Sequence, residues 1–223
     1  MNEKDPSIGI FGGTFDPVHD GHVNLARFVL STKLVQKILF LPAARPPHKD
    51  SAMAPFAHRV AMLKIALGAE TAMSVSTLES RRRGPSYTVD SLRALRSEYP
   101  GLRPAFIMGA DSLLELHQWY RYDEILCYAD LIVISRKGIS DRQCMDAIRR
   151  LPGHFRPVTE SASTFLQADG EATIHYLSGF SSPVSSSMVR RQLQAGKRPQ
   201  GLDKAVFSYI QAHHLYGRQP CAT

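Results

Sequence analysis

The stretch that decides the fold is Ile8-Gly9-Ile10-Phe11-Gly12-Gly13-Thr14-Phe15-Asp16-Pro17-Val18-His19-Asp20-Gly21-His22. A short apolar run ends in two glycines and crosses a loop stiffened by Pro17. It then enters a segment, from about His19 to Thr32, with Val23, Ala26 and Leu30 on one stripe at helical spacing. A second apolar run, Lys37-Ile38-Leu39-Phe40-Leu41, follows and stops at Pro42. Strand, helix and strand in so short a span are what a right-handed βαβ unit requires.

The alternation continues outward from that unit. Helices are expected over 56–67, 88–96, 113–126, 141–150, 186–194 and 203–213, and strands at 73–75, 105–108, 131–134 and 174–177. Short continuous apolar strands alternating with helices predict an α/β, Rossmann-like, doubly wound parallel sheet. A small C-terminal helical extension from about residue 184 is expected to pack on it, the whole of 1–223 forming one domain. In such sheets ligands bind at the carboxyl ends of the strands.

Composition narrows the function classes. With 223 residues, 43% hydrophobic and 21% charged, the chain reads as an ordinary globular protein. The formal charge of +7 suits either a polyanionic small molecule or a nucleic-acid surface and does not choose between them. Cys127, Cys144 and Cys221 lack C-x-x-C spacing, which argues against a disulfide framework or a zinc knuckle and for a reducing compartment. No apolar run follows Met1 as a leader would, and none approaches the length of a membrane helix. A soluble cytoplasmic protein without a membrane partner is expected.

The loop carries the chemistry. Gly12 and Gly13 allow a ligand close to the backbone and φ angles that other residues resist. His19 and His22, three apart at a helix start, can turn both imidazoles toward the strand ends. The free amides and positive end of that helix favour phosphate, and ring N–H groups add donors. This is neither a Walker A loop nor the G-x-G-x-x-G fingerprint. A metal reading of the two histidines needs further ligands; no carboxylate or cysteine partner is evident nearby, so no protein-held metal is expected. A Gly-Gly turn or an H-x-x-H pair is common by chance, but the whole ordered run is not.

Gly12–His22 resembles the T/H-x-G-H signature of the nucleotidylyltransferase superfamily, in the wording of its nicotinic acid mononucleotide adenylyltransferase branch. The resemblance extends along the chain to Pro46-Pro47-His48-Lys49, Pro85-Ser86-Tyr87-Thr88, Gly109-Ala110-Asp111-Ser112-Leu113 with Trp119-Tyr120, and Val184-Ser185-Ser186-Ser187-Met188-Val189-Arg190. It implies adenylyl transfer from ATP to nicotinic acid mononucleotide, with His19 and His22 as catalytic donors and Mg²⁺ arriving on the ATP phosphates. ATP would be held by Gly12, Gly13, Thr14, Phe15, Lys49, Gly109, Asp111, Ser185, Ser186, Ser187 and Arg190. The mononucleotide would be held by His48, Tyr87, Thr88, Trp119, Tyr120 and Arg136. The chain departs from the pattern at Ala43-Ala44, where the family often has Asn-Asn, and at Ser187, where Thr is usual. The region 138–172 resembles nothing with an assignable function.

Plainer readings stand beside these. Ser185–Ser187 can simply cap a helix, with Arg190 a solvated charge. Asp111 can cap the helix after it, His48 and Lys49 can be exposed loop charges, and a lone Trp119 more often packs than binds. Arg81-Arg82-Arg83 reads as a solvated loop, and His213-His214 as a helix end. Within the enzyme class the rival is another transferase of the superfamily, such as one acting on phosphopantetheine. Outside it the rival is a basic RNA-binding α/β protein, against which the converging His and Ser/Arg elements argue; no nucleic-acid partner is expected. The sequence is compatible with a homo-oligomer and leaves acid-versus-amide preference open.

Overall fold

The computed structural model describes residues 7–47, 53–159, 163–168 and 170–217. Eight strands form one sheet: β1 Ile8–Gly13, β2 Lys37–Pro42, β3 Met73–Val75, β4 Ala105–Gly109, β5 Asp130–Ile134, β6 Phe155–Pro157, β7 Thr164–Gln167 and β8 Thr173–Leu177. Their order is β3-β2-β1-β4-β5-β8-β7-β6. From β3 to β8 every pairing is parallel, and the order reverses between β1 and β4, where Ile10 lies beside Phe106 and Phe11 beside Ile107. At such a reversal the helices leave on opposite faces and open a crevice above the strand ends.

Side-chain alternation along the strands feeds a core on each face. In β4, Phe106 and Met108 enter one cluster and Ile107 the other; in β5, Leu131 and Val133 oppose Ile132 and Ile134. The first face is covered by α3 Thr88–Glu98, α4 Ala110–Leu114, α5 Ile125–Tyr128 and α6 Asp141–Arg150, through Val89, Leu92, Leu113, Ile125 and Ile148. The second is covered by α1 Asp20–Ser31, α2 Phe56–Leu67, α7 Ser186–Gln194 and α8 Lys204–Ala212, through Val23, Leu63, Val189, Val206 and Ile210. Burying one such Ile, Leu or Val contributes about 1.5–3 kcal/mol, which is why these continuous apolar strands sit at the centre. Among the described residues no helix is long and apolar enough to cross a membrane.

Two expectations change. The sheet is not parallel throughout: β6 and β7 add an antiparallel edge, β7 pairing antiparallel with both β6 and β8. These strands bury one side only, Phe155 and Phe165 being buried while Arg156 and Leu166 are exposed, and Pro157 is tolerated at such an edge because no ladder needs its missing N–H. The second change is at 113–126, which is not one helix. The chain leaves α4 after Leu114, makes 3-10 turns at Leu116–Gln118 and Tyr122–Glu124, and resumes only at α5. Arg121, at φ 50°, breaks the helical path. The break still buries Leu113, Leu116 and Ile125 while placing Trp119 and Tyr120 on a loop at the sheet's upper edge.

Candidate active site

The carboxyl ends of β1 and β4 bear the groups the sequence singled out. His19, extended at φ −147°, caps α1, and its backbone N–H donates to His22 Nδ1 at 3.2 Å. That bond fixes the tautomer: Nδ1 accepts, so the ring proton is on Nε2, which is left as a donor. The two imidazoles stack at 3.7 Å, and the Phe15 ring meets His22 edge-on at 5.0 Å. A stacked pair in a tight space dictates Gly21 between them: a Cβ there would sit 2.9 Å from His19 Nδ1 and collide with Ser182 Oγ. His19 Nδ1 is buried with no protein partner among the described residues.

Both rings are neutral at physiological pH. Burial, reinforced by the nearby Arg136 charge, lowers His19 to about 4. Burial first, then His19 and Arg136, holds His22 well below the usual imidazole range. Arg136 itself donates from Nε to Asp111 Oδ1 at 3.3 Å. A Cβ on Gly109, the last residue of β4, would meet Asp111 Oδ1 and stand 2.7 Å from Arg136 Nε, so a side chain there would displace that pair.

The start of α7 packs directly on this loop. Arg190 Nη1 donates to the Asp16 carbonyl at 2.7 Å, and Ser186 Oγ donates to the Pro17 carbonyl at 2.9 Å. Ser185 Oγ accepts from Met188 N–H at 3.3 Å, and Ser187 Oγ accepts from Arg190 Nη2 at 3.2 Å. The proton count separates the three serines. Ser186 has committed its hydroxyl hydrogen, whereas Ser185 and Ser187 only accept and keep a hydrogen to give. Helix capping by Ser185 and an anion site at the same turn are therefore compatible.

Beside the loop opens a cleft enclosing about 1030 Å³ including its open mouth, walled by Gly12, Gly13, Thr14, Ala43, Pro46, Glu79, Tyr87, Thr88, Trp119 and Tyr120. Tyr87 and Tyr120 stack at 4.4 Å, and Trp119 stands edge-on to Phe106 at 6.2 Å. Thr88 opens α3, so its N–H has no acceptor within the helix. The residues of the β1–α1 loop thus serve two neighbours, the aromatic cleft on one side and α7 on the other.

Several expectations need adjusting. Gly12 and Gly13 belong to β1 and have no left-handed φ; that conformation falls on Phe15, at φ 50°. Its ring is buried in the core with Phe11 and Phe40, so Phe15 can offer a ligand only its backbone. His48 and Lys49 lie outside the described residues. The triple arginine is partly tied down: Arg82 pairs with Asp90 at 3.0 Å and donates to Ser91 at 3.1 Å, and Arg81 stands 3.6 Å from Glu98.

Sequence reasoning overlooked four supporting side chains. Asp16, 4% exposed, accepts from the Met53 and Ala54 amides at 2.8 and 3.2 Å and from the Tyr216 hydroxyl at 2.6 Å. Buried Arg59 donates to the Thr14 carbonyl at 2.7 Å and the Ala54 carbonyl at 3.1 Å. Glu79, on the cleft wall, accepts from Ala44 N–H at 3.1 Å and Ser91 Oγ at 2.7 Å, so Ala44 meets a carboxylate through its backbone. The sequence signal for Asp16 was its place inside the decisive run; for Tyr216 there was none.

A mostly parallel sheet with histidines and a serine–arginine turn above its switch point defines an α/β protein of the nucleotide-handling class. The cytidylyltransferase-like family model matches residues 10–192. A curated Symbiobacterium thermophilum protein named "Probable nicotinate-nucleotide adenylyltransferase" is 36% identical over 95% of each chain. One of the same name from Gloeobacter violaceus is 37% identical over 94% of this chain and 95% of its own. A solved structure of Plasmodium falciparum nicotinic acid mononucleotide adenylyltransferase complexed with NaAD shares the fold at TM-score 0.74, with 18% identity, over 95% of this chain and 98% of that one. The chain belongs to the cytidylyltransferase-like family and, within it, to the nicotinate-nucleotide adenylyltransferases.

Proposed function

We propose that this protein transfers the adenylyl group of ATP to the phosphate of nicotinic acid mononucleotide, giving nicotinic acid adenine dinucleotide and pyrophosphate in NAD biosynthesis, as a cytoplasmic enzyme. The observation that carries this reading is the contact between α7 and the β1–α1 loop, Arg190 to Asp16 and Ser186 to Pro17. Those two contacts seat the turn bearing Ser185, Ser187 and Arg190 on the loop that leads into His19 and His22.

The acceptor phosphate, largely dianionic near pH 7, is already a nucleophile. One of its oxygens forms a bond to the α-phosphorus as the bond from that phosphorus to the α,β-bridging oxygen breaks, and the electron pair leaves with pyrophosphate. No proton need be removed, so the protein's task is positioning and charge stabilisation. His22, neutral and protonated on Nε2, donates to the phosphates; His19 lies against it. Arg190 and the free hydroxyl hydrogens of Ser185 and Ser187 serve the leaving pyrophosphate, with Gly12–Thr14, Gly109, Asp111 and, beyond the described residues, Lys49 completing the ATP site. A divalent ion would arrive on the nucleotide, held by its phosphate oxygens and water. We assign it as Mg²⁺.

On the acceptor side, Trp119, Tyr87 and Tyr120 offer flat area to a pyridine ring, with Arg136 and His48 on the phosphate. The Thr88 amide suits a carboxylate, since a site of N–H donors faces an amide NH₂ with donor against donor. Pyrophosphate release should be measured with ATP and, separately, nicotinic acid mononucleotide, nicotinamide mononucleotide and phosphopantetheine. Release is expected with the first and at least tenfold slower with the second. Release with phosphopantetheine alone, or with no acceptor, overturns the reading.

A further inference from the structure

Asp16 is the node where three distant segments meet, two at its buried carboxylate and one at its backbone carbonyl. Its Oδ2 takes the Met53 amide at 2.8 Å, and its Oδ1 takes the Ala54 amide at 3.2 Å and the Tyr216 hydroxyl at 2.6 Å. Its backbone carbonyl takes Arg190 Nη1 at 2.7 Å. Asp16 therefore joins the β1–α1 loop, the segment leading into α2, the triphosphate-side arginine and the chain beyond α8. Tyr216 is 6% exposed and sits at φ 60°, a conformation unfavourable for a residue with a β-carbon. Packing and one short hydrogen bond hold it there. Burial and the Asp16 contact both raise its phenol far above the usual range, so it remains a donor.

We propose that Tyr216 is a positioning residue for ATP: by holding the Asp16 carboxylate it fixes the carbonyl that orients Arg190 and the entry of His19 into α1. The inference rests on the adenylyl-transfer reading for its kinetic consequence but not for its binding consequence. The Tyr216 hydroxyl bonds a residue of the β1–α1 loop, outside every strand. It is needed to give the loop one conformation, and a small displacement of a loop aimed at phosphates costs far more affinity and rate than stability.

The test compares Tyr216→Phe, Asp16→Asn, the double variant and Tyr176→Phe. The last removes an equally short but only part-buried hydrogen bond, Tyr176 to Asp141 at 2.6 Å, from the opposite face of the sheet. ATP affinity is read by calorimetric titration, kcat and KM for each substrate by pyrophosphate release, and folding by thermal unfolding. Tyr216→Phe is expected to weaken ATP and lower kcat/KM for ATP about tenfold with KM for the mononucleotide unchanged. The double variant should be no worse than Asp16→Asn, and Tyr176→Phe should lower the unfolding temperature without altering ATP affinity. Unchanged ATP affinity in Tyr216→Phe, or equal losses in Tyr216→Phe and Tyr176→Phe, overturns the inference. Wild-type protein that binds ATP but transfers nothing sinks the proposed reaction while leaving this positioning test intact.

Discussion

The polar and the aromatic sides of the site are built on different plans. The β1–α1 loop and α7 are locked by hydrogen bonds to backbone: Arg190 to Asp16, Ser186 to Pro17, Arg59 to Thr14, His19 N–H to His22. The opposite wall meets the space with rings, the stacked Tyr87 and Tyr120 and the edge-on Trp119, and half of the Tyr120 surface is exposed. A hydrogen-bonded wall has its dipoles aimed before the substrate arrives, so it stabilises developing charge without reorganising. A ring wall offers area and shape, which helps ground state and transition state alike. One wall should therefore govern turnover and the other acceptor binding.

The largest effect expected from that contrast is at His22. His22→Ala removes the Nε2 donor, and kcat should fall by about 10²–10³-fold, as for other preorganised donors to a charged transition state. KM for the mononucleotide should change little. Circular dichroism should show an intact fold, because His22 is flanked by Phe11 and Phe15, which remain packed in the core. Near-normal turnover would remove the polar wall from the chemistry. Trp119→Ala sharpens the contrast from the other side: KM for nicotinic acid mononucleotide should rise about tenfold, the loss of roughly 1.4 kcal/mol of stacking and burial, with kcat held within about threefold. A Trp119→Ala protein whose kcat falls as far as that of His22→Ala would mean that both walls do the same work.

The polar wall was the more legible in sequence, although only in part. His19, Gly21 and His22 sit within one turn, so their juxtaposition follows from helical geometry alone. The parallel strands were legible for a similar reason: runs such as Leu131–Ile134 are apolar on both faces, which only a doubly covered strand requires. The edge strands β6 and β7 escaped because each is short, half exposed and buried through a single phenylalanine, a pattern too brief to separate from a loop. Trp119 and Tyr120 were placed within a helix because Leu113, Leu116 and Ile125 keep an approximately helical spacing across the break at Arg121. The contacts that orient the site were the least legible. Asp16 and Tyr216, or Arg59 and Thr14, are joined by tertiary packing, and no local rule links residues so far apart.

The smallest expected effect bears on protonation rather than turnover. His19 titrates at about 4 in the folded protein, against an ordinary value of 6.5. Between those values the unfolded chain binds a proton that the folded chain refuses, so stability rises with pH across that window. The contribution is complete above pH 6.5 and is lost as pH falls toward 4, by up to about 3 kcal/mol for this one ring; His22, shifted the same way, steepens the loss. Denaturant unfolding at a series of pH values should show the slope in wild-type protein and a shallower one in His19→Gln. Trp119→Ala, which removes no titrating group, should keep the wild-type slope. Bound triphosphate acts oppositely, since negative charge against the rings favours their protonated form, so ATP should flatten the slope. If ATP stabilises the protein equally from pH 4 to pH 7, the two histidines do not face its phosphates, and the division of labour between the walls fails at its first residue.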